Sequence, residues 1–286
     1  MQSAKGPPGL SYISARLAVP CHLLMVLQAL LNPLWAKAHP LARTGRPRCS
    51  FNRLLSGVLV YLREGTTFER AAAEVGIGRS TLHDHFGELV GLIAGLGVCQ
   101  ADGTLLGRDG LEAWLAEMAR AGELALVDGT HTRCPRPGKS WEAQKPFWDA
   151  KHGCHALNAV TLTTEKGDLL GVHGGWPGAV PEADQLRHSW MAPAIKASGV
   201  RAVTDRGFRP ARAGLGVICA AGNHRTPKPG DKEITLVRAE NERPHHLLKA
   251  WRVMDRTRLG VRANHYVAGA VAALVGLCLY GERLEL

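Results

Sequence analysis

At Glu123 the texture of the chain changes. Before it, apolar residues recur at helical spacing. After it come short apolar runs bounded by turn residues: "ELALVDGT", "HALNAVTLTT", "GDLLGVHGG", "VRAVTD" and "GLGVICA". Runs of this kind read as five strands. "EKGD" joins the second and third as a hairpin turn, which makes that pair antiparallel. Helical patterns return around Glu182 to Ala197, from about Asn241 to Met254, and from Asn264 to Leu279. Strands that first meander and then alternate with helices imply an α/β domain, a mixed sheet flanked by helices.

Upstream of the sheet the chain is helical. In "FNRLLSGVLVYLREGTTFERAAAEVGIGRSTLHDHFGELVGLI", Leu54, Leu55, Val58, Leu59 and Leu62 fall on one helical face. Thr66 or Thr67 caps a short helix that turns Ala71, Ala72 and Val75 inward. "VGIG" makes a tight turn, and Ser80 caps a further helix with Leu82, Phe86 and Leu89 inward. Helix, glycine turn and helix form the helix-turn-helix pattern, although an ordinary helical hairpin satisfies it too. In the DNA-binding version Arg79, Ser80, Thr81, His83 and Asp84 open the recognition helix. "RDGLEAWLAEMARAG" then gives a connecting helix, capped by Asp109 and stopped by Gly122, with Leu111, Trp114, Leu115 and Met118 on one face. The expected organisation is an all-α region over residues 1–98, with the helix-turn-helix at about 50–92. A connecting helix over 99–122 and a sheet-bearing domain over 123–286 follow.

Charge speaks to partners. The formal net charge is +10 and the isoelectric point about 9.5, which favours a polyanion such as nucleic acid. No Asp or Glu precedes Glu64, whereas Lys5, Arg16, Lys37, Arg43, Arg46, Arg48, Arg53 and Arg63 do. A GC-rich genome inflates arginine and gives a similar excess without purpose. "GRPR" can lie in a minor groove, but a plain linker is the simpler expectation. The seven cysteines are scattered and never spaced C-x-x-C, so neither a disulfide framework nor a zinc ribbon is expected, and the expected compartment is the reducing cytoplasm. The apolar run from Leu23 to Leu31 is too short for a bilayer and lacks a cleavage site, so it reads as a core helix with no membrane role. His152 with His155, and His245 with His246, lack the i, i+4 spacing of a helical zinc pair.

Two strands end in acids. "LALVDGT" closes on Asp128, and "VRAVTDRGF" repeats the design with Asp205. Charges at the ends of buried strands lie at the rim where open sheets bind ligands. Paired carboxylates suit Mg²⁺, although Asp-Gly is also an ordinary turn. A two-metal site for phosphoryl transfer calls for a third acid, and about 35 residues beyond Asp205 the segment "VRAENERPHHLLKAWRVMDR" supplies Glu240 and Glu242. Glu242 stands at a helix start, where Pro244 is tolerated. Helical spacing from it reaches His246 and Lys249.

"YLREGTTFERAAAEVGIGRSTL", "LALVDGT", "KHGCHALNAV", "PGAVPEADQLR", "VTDRGF" and "RAENERPHHLLKAWRVM" together resemble DDE-superfamily transposases of bacterial insertion sequences, in the branch related to Harbinger-type endonucleases. The resemblance runs from about residue 20 to 260. Many such enzymes carry a Tyr-x2-Arg-x3-Glu-x6-Lys signature. Arg238, Glu242 and Lys249 fit it, which selects Glu242 over Glu240, while Thr235 occupies the tyrosine position. The resemblance implies an RNase H-like core in which Asp128, Asp205 and Glu242 hold two Mg²⁺ or Mn²⁺ ions. It implies cleavage of DNA at terminal inverted repeats and strand transfer into target DNA, by a homodimer. Arg238 and Lys249 are then phosphate clamps. Lys151, with His155 and Asn158, contacts DNA or merely decorates a surface strand. Asp184 supports the site from behind or caps a helix, and the cap is the simpler expectation. Two other readings share these residues: a non-catalytic DNA-binding regulator descended from a transposase, and a metal-dependent nuclease without strand transfer.

Overall fold

The computed structural model describes residues 10–39, 49–219 and 242–284. Lys5, Arg43, Arg46, Arg48, the "GRPR" segment, Thr235, Arg238 and Glu240 lie outside these residues.

The helical region comprises α1 (Leu10–Leu17), α2 (Cys21–Ala38), α3 (Phe51–Glu64), α4 (Phe68–Glu74) and α5 (Arg79–Gly95). The apolar periodicity of α3 does what it promised: Leu54, Leu55, Val58, Leu59 and Leu62 are all buried. Ser50 caps α3, and Thr67 caps α4 by accepting the Arg70 amide at 3.2 Å. At α5 the cap is Gly78, whose extended backbone begins the helix two residues earlier than expected, so Ser80 falls inside the first turn. Tyr61 packs between Phe68 and Phe86, with ring centroids 4.4 and 4.8 Å away, and so ties α3, α4 and α5 together.

A two-strand ladder, β1 (Val98–Cys99) and β2 (Leu105–Leu106), leads to α6 (Leu111–Ala121). Gly110, not Asp109, holds the cap position of α6, because the preceding turn carries the chain one residue further before the helix starts. Among the described residues the main sheet has six strands, β3 (Leu124–Arg133), β4 (Trp148–Asp149), β5 (Cys154–Thr164), β6 (Leu169–Pro177), β7 (Arg201–Thr204) and β8 (Ile218–Cys219). β5 pairs antiparallel with β3, and also with β4 and β6; β3, β7 and β8 run parallel. The sheet is mixed and helix-flanked, as the alternation of strand and helix patterns implied. Short helices α7 (Trp141–Gln144), α8 (Glu182–Arg187), α9 (Ala192–Ser198) and α10 (Arg212–Leu215) join the strands. α11 (Glu242–Lys249) and α12 (Val261–Tyr280) complete the described elements.

Among the described residues two apolar cores result. One lies between the sheet and α6, α8 and α9, built on Val127, Val160, Leu162, Leu186 and Ile195. The other continues without a break from α1–α5 into α12 and the opposite sheet face at Val172. Small residues let α12 lie close: a Cβ on Gly174 of β6 would sit 2.6 Å from the Ala268 Cβ. The stretch Val261–Arg283 has a mean hydropathy of 1.4 and is long enough to cross a bilayer. Here its apolar faces are spent on α5, β1 and β6 instead.

Candidate active site

β3 outruns β7, and that difference makes the rim. Their parallel register ends at Val127 opposite Thr204, so Asp128 and Asp205 are the next residue on each strand. β3 continues to Arg133 against β5, while the chain after Thr204 peels away into a 3₁₀ turn over Arg206–Ala211. Asp205 caps that turn by accepting the Gly207 amide at 2.8 Å. The two strand-end aspartates thus emerge side by side from adjacent strands.

Alternation along β3 decides what each residue meets. Asp128 faces α11, where His245 Nδ1 lies 4.0 Å from Asp128 Oδ2 and Nε2 lies 2.9 Å from the Thr161 hydroxyl. The distal half of β3 anchors the chain after α11: the Thr132 hydroxyl donates to the Met254 carbonyl at 2.8 Å and the Arg133 amide to the Asp255 carbonyl at 3.0 Å. Those bonds hold α11 over the rim. Gly129 faces the other way, toward α8.

α8 delivers an acid that the sequence reading passed over. Pro181 starts the helix with φ −59° and puts Glu182 in its first turn. Its carboxylate enters the gap between the two strand ends. A Cβ on Gly129 would lie 3.1 Å from Glu182 Oε1, and one on Gly207 would collide with Oε2. The glycines just past Asp128 and Asp205 therefore make room for it. Lys151 Nζ approaches Glu182 Oε1 at 3.3 Å. Burial, then the charges of Asp205 and Asp128, raise the Glu182 pKa against the pull of Lys151. Burial depresses Lys151, but Glu182, Asp205 and Asp128 outweigh it and the net shift is upward. Asp184, by contrast, caps nothing: it pairs with Arg187 at 2.8 Å on the outer side of α8.

A cavity of about 630 Å³ opens here, with Lys151, His152, Glu182, Gly207, His245 and Lys249 in its wall. His152 is fixed by the buried Asp149, whose Oδ2 lies 2.7 Å from Nδ1, and His131 stacks on the ring at 3.8 Å. Burial, then His152 and Lys249, push His131 down to about 4. Burial followed by Lys249 does the same to His245. Both of these imidazoles are neutral at neutral pH.

Of the expected acids, Asp128 and Asp205 are neighbours. Glu242 is exposed at the tip of α11, one turn before His245. Asp128, Asp205 and Glu242 do not bring their ligand atoms within 4.8 Å of one another; among the described residues His39, His85 and Glu88 do. Lys249 and Lys151 both reach the cavity. Arg79, Ser80 and His83 are exposed and Thr81 half-buried at the start of α5.

The sequence profile of the family described as DDE superfamily endonuclease matches residues 127–278, more than half of the chain. The chain belongs to the DDE superfamily endonucleases. The match opens one residue before Asp128, and Glu182, Asp205 and Glu242 all lie within this DDE endonuclease segment. No curated protein matches the chain. Among solved structures, the Mos1 strand transfer complex is 11% identical over 89% of this chain and 85% of that chain, with a TM-score of 0.25. The Mos1 transposase paired-end complex with left transposon end is 11% identical over 95% and 96%, with a TM-score of 0.21. Likeness at that level assigns no residue of this DDE endonuclease.

Proposed function

We propose that the chain is a transposase that cuts DNA at the terminal inverted repeats of an insertion sequence and joins the freed ends to target DNA. The observation that carries the reading is the crowd of carboxylates at the rim. Asp128 and Asp205 leave adjacent parallel strands, and Glu182 is wedged against the glycines that follow them.

The donor set fits hard divalent cations. Carboxylate oxygens crowd the rim beside Lys151, and burial first, then the charges of Asp205 and Asp128, raise the Glu182 pKa. Oxygen donors of this kind suit Mg²⁺ or Mn²⁺. In this reading Asp128, Asp205 and Glu242 hold two such ions, with Glu182 setting the charge between the strand ends. Bound there, the ions would supply Lewis-acid stabilisation of the charge that builds on the leaving oxygen and would acidify the attacking water or hydroxyl. The chain's own residues do the rest. Lys151 and Lys249 neutralise the DNA backbone across the cavity. His245, neutral and hydrogen-bonded to Thr161, holds α11 against Asp128. Outside the cavity, α4 and α5 act as a helix-turn-helix, with Arg79, Ser80, Thr81 and His83 toward the groove. The strand order fits an RNase H-like core. Two ends must be cut together, so the working form is a homodimer.

An alanine panel tests this. D128A and D205A abolish Mg²⁺- or Mn²⁺-dependent nicking of a duplex carrying the element's end, while retaining binding in a mobility-shift assay. E242A does the same if Glu242 is the third ligand; an active E242A with an inactive E182A transfers that role to Glu182. A D128A protein that nicks at the parental rate refutes the site. Supplying a labelled 3′-hydroxyl end with a target plasmid tests joining separately from cutting.

A further inference from the structure

The helical region contains a cluster that the nuclease reading does not use. His85 and Glu88 stand one turn apart on α5, and His39 terminates α2. His39 Nε2 lies 2.8 Å from Glu88 Oε1, and His85 Nδ1 lies 4.0 Å from Glu88 Oε2. One ligand atom from each of the three lies within 4.8 Å of those of the other two.

We propose that His39, His85 and Glu88 form a second metal site, for a late first-row dication such as Zn²⁺, that ties the end of α2 to α5. Two imidazoles and one carboxylate favour that class of ion, whereas the all-carboxylate rim favours Mg²⁺ or Mn²⁺. Tetrahedral zinc with ligand bonds of about 2.0–2.1 Å sets neighbouring donors about 3.3 Å apart. The two imidazoles approach different oxygens of Glu88, at 2.8 and 4.0 Å on either side of that spacing, so side-chain rotations would bring one oxygen and both rings to a common ion.

Trp35 prepares the arrangement. Its ring stacks on His39 at 4.0 Å and meets His85 edge-on at 5.4 Å. Both imidazoles are therefore oriented before any ion arrives, which lowers the ordering cost of binding. About a third of each ligand side chain is exposed (36% for His39, 34% for His85, 36% for Glu88), leaving an entry path and a coordination position for water. The site stands two turns along α5 from Arg79. An ion there would be structural, fixing the helix whose first turn is offered to DNA. A plain His39–Glu88 hydrogen bond is the competing account, and it needs no ion.

The test uses the full chain, stripped with chelator and saturated with Mg²⁺ so that oxygen sites are filled. Titration with Co²⁺ gives visible absorption of the low-symmetry, nitrogen-ligated kind, complete at one equivalent and displaced by Zn²⁺. H39Q and H85Q lose it, with Zn²⁺ affinity falling by at least about 100-fold, beyond the loss typical of removing an outer partner. E88Q, on an exposed side chain, repeats the measurement if either histidine variant fails to show the parental circular dichroism. Parental protein that shows no such absorption overturns the proposal without any variant. So do folded H39Q, H85Q or E88Q proteins that bind Zn²⁺ as the parent does.

Discussion

Replacing Gly207 with alanine adds one methyl group where the Glu182 carboxylate now lies. The new Cβ would collide with Oε2 and come within 3.0 Å of Asp205 Oδ1. Gly207 is not in the left-handed region, so its backbone accepts alanine. Glu182 must yield, because it is the free end of a flexible side chain. It then gives up Lys151, a 3.3 Å ion pair whose lysine is 66% exposed. An exposed pair is worth under about 1 kcal/mol, and replacing glycine at a compatible backbone returns about 0.5 kcal/mol. The melting temperature of G207A should therefore move little. Activity should not be spared, because a displacement of about 1 Å in a preorganised site costs about 100-fold in rate. Single-turnover nicking of end-bearing DNA, alongside a thermal melt, separates the two effects. In an E182A background the alanine should have no further effect on rate, since its target is gone. G207A nicking at the parental rate, or an undiminished penalty in E182A, would refute the placement of Glu182 between the strand ends.

Three further outcomes follow from the same geometry. Because the Glu182 pKa is raised, the folded protein holds that proton more tightly than the unfolded chain. The stability it contributes is full below the ordinary 4.5 and is lost as pH rises through the folded value. Metal-free E182Q should thus melt above the parent at neutral pH and level with it well below pH 4.5, with Mg²⁺ narrowing the neutral gap; equal melts throughout count against it. His245 is depressed from 6.5 to about 4, so its contribution is full above 6.5 and is lost as pH falls through about 4. That acid loss amounts to about 3 kcal/mol, and H245N should flatten the acid limb of the stability profile. Leu274 of α12 is fully buried in the core shared by the helices and the sheet. L274A should cost about 2–5 kcal/mol and shift circular dichroism and tryptophan fluorescence together; separate transitions would show that the core is not shared.

Much of this architecture could be read from residue pattern. The long strands β3, β5 and β6 carry their own turn signals, and the apolar, valine-bearing runs ending in Asp128 and Asp205 announced acids at a rim. Helix caps were read less well. Gly78 and Gly110 took places that Ser80 and Asp109 were expected to fill, since backbone conformation and not side-chain chemistry decided them. Glu182 was passed over in favour of Asp184, two residues on. Pro181 was the usable signal, because it fixes where α8 begins and which acid comes first. The glycines after each strand-end aspartate were a second signal, visible as letters but meaningful only once α8 is known to approach them. The bonds from β3 to Met254 and Asp255 end on backbone carbonyls, and the one from the Arg133 amide is backbone at both ends, so the side-chain pattern carries little mark of them.

The shared core also has a consequence for biosynthesis. α5 must wait for α12 to cover it, and every strand of the sheet is translated between the two. At ribosomal elongation rates that interval is on the order of ten seconds. Throughout it the nascent helices present Leu89, Val90 and Ile93 without their partner. A chaperone that shields apolar surface therefore has its longest engagement at α5. A message broken before the codons for α12 yields a product unable to complete either half.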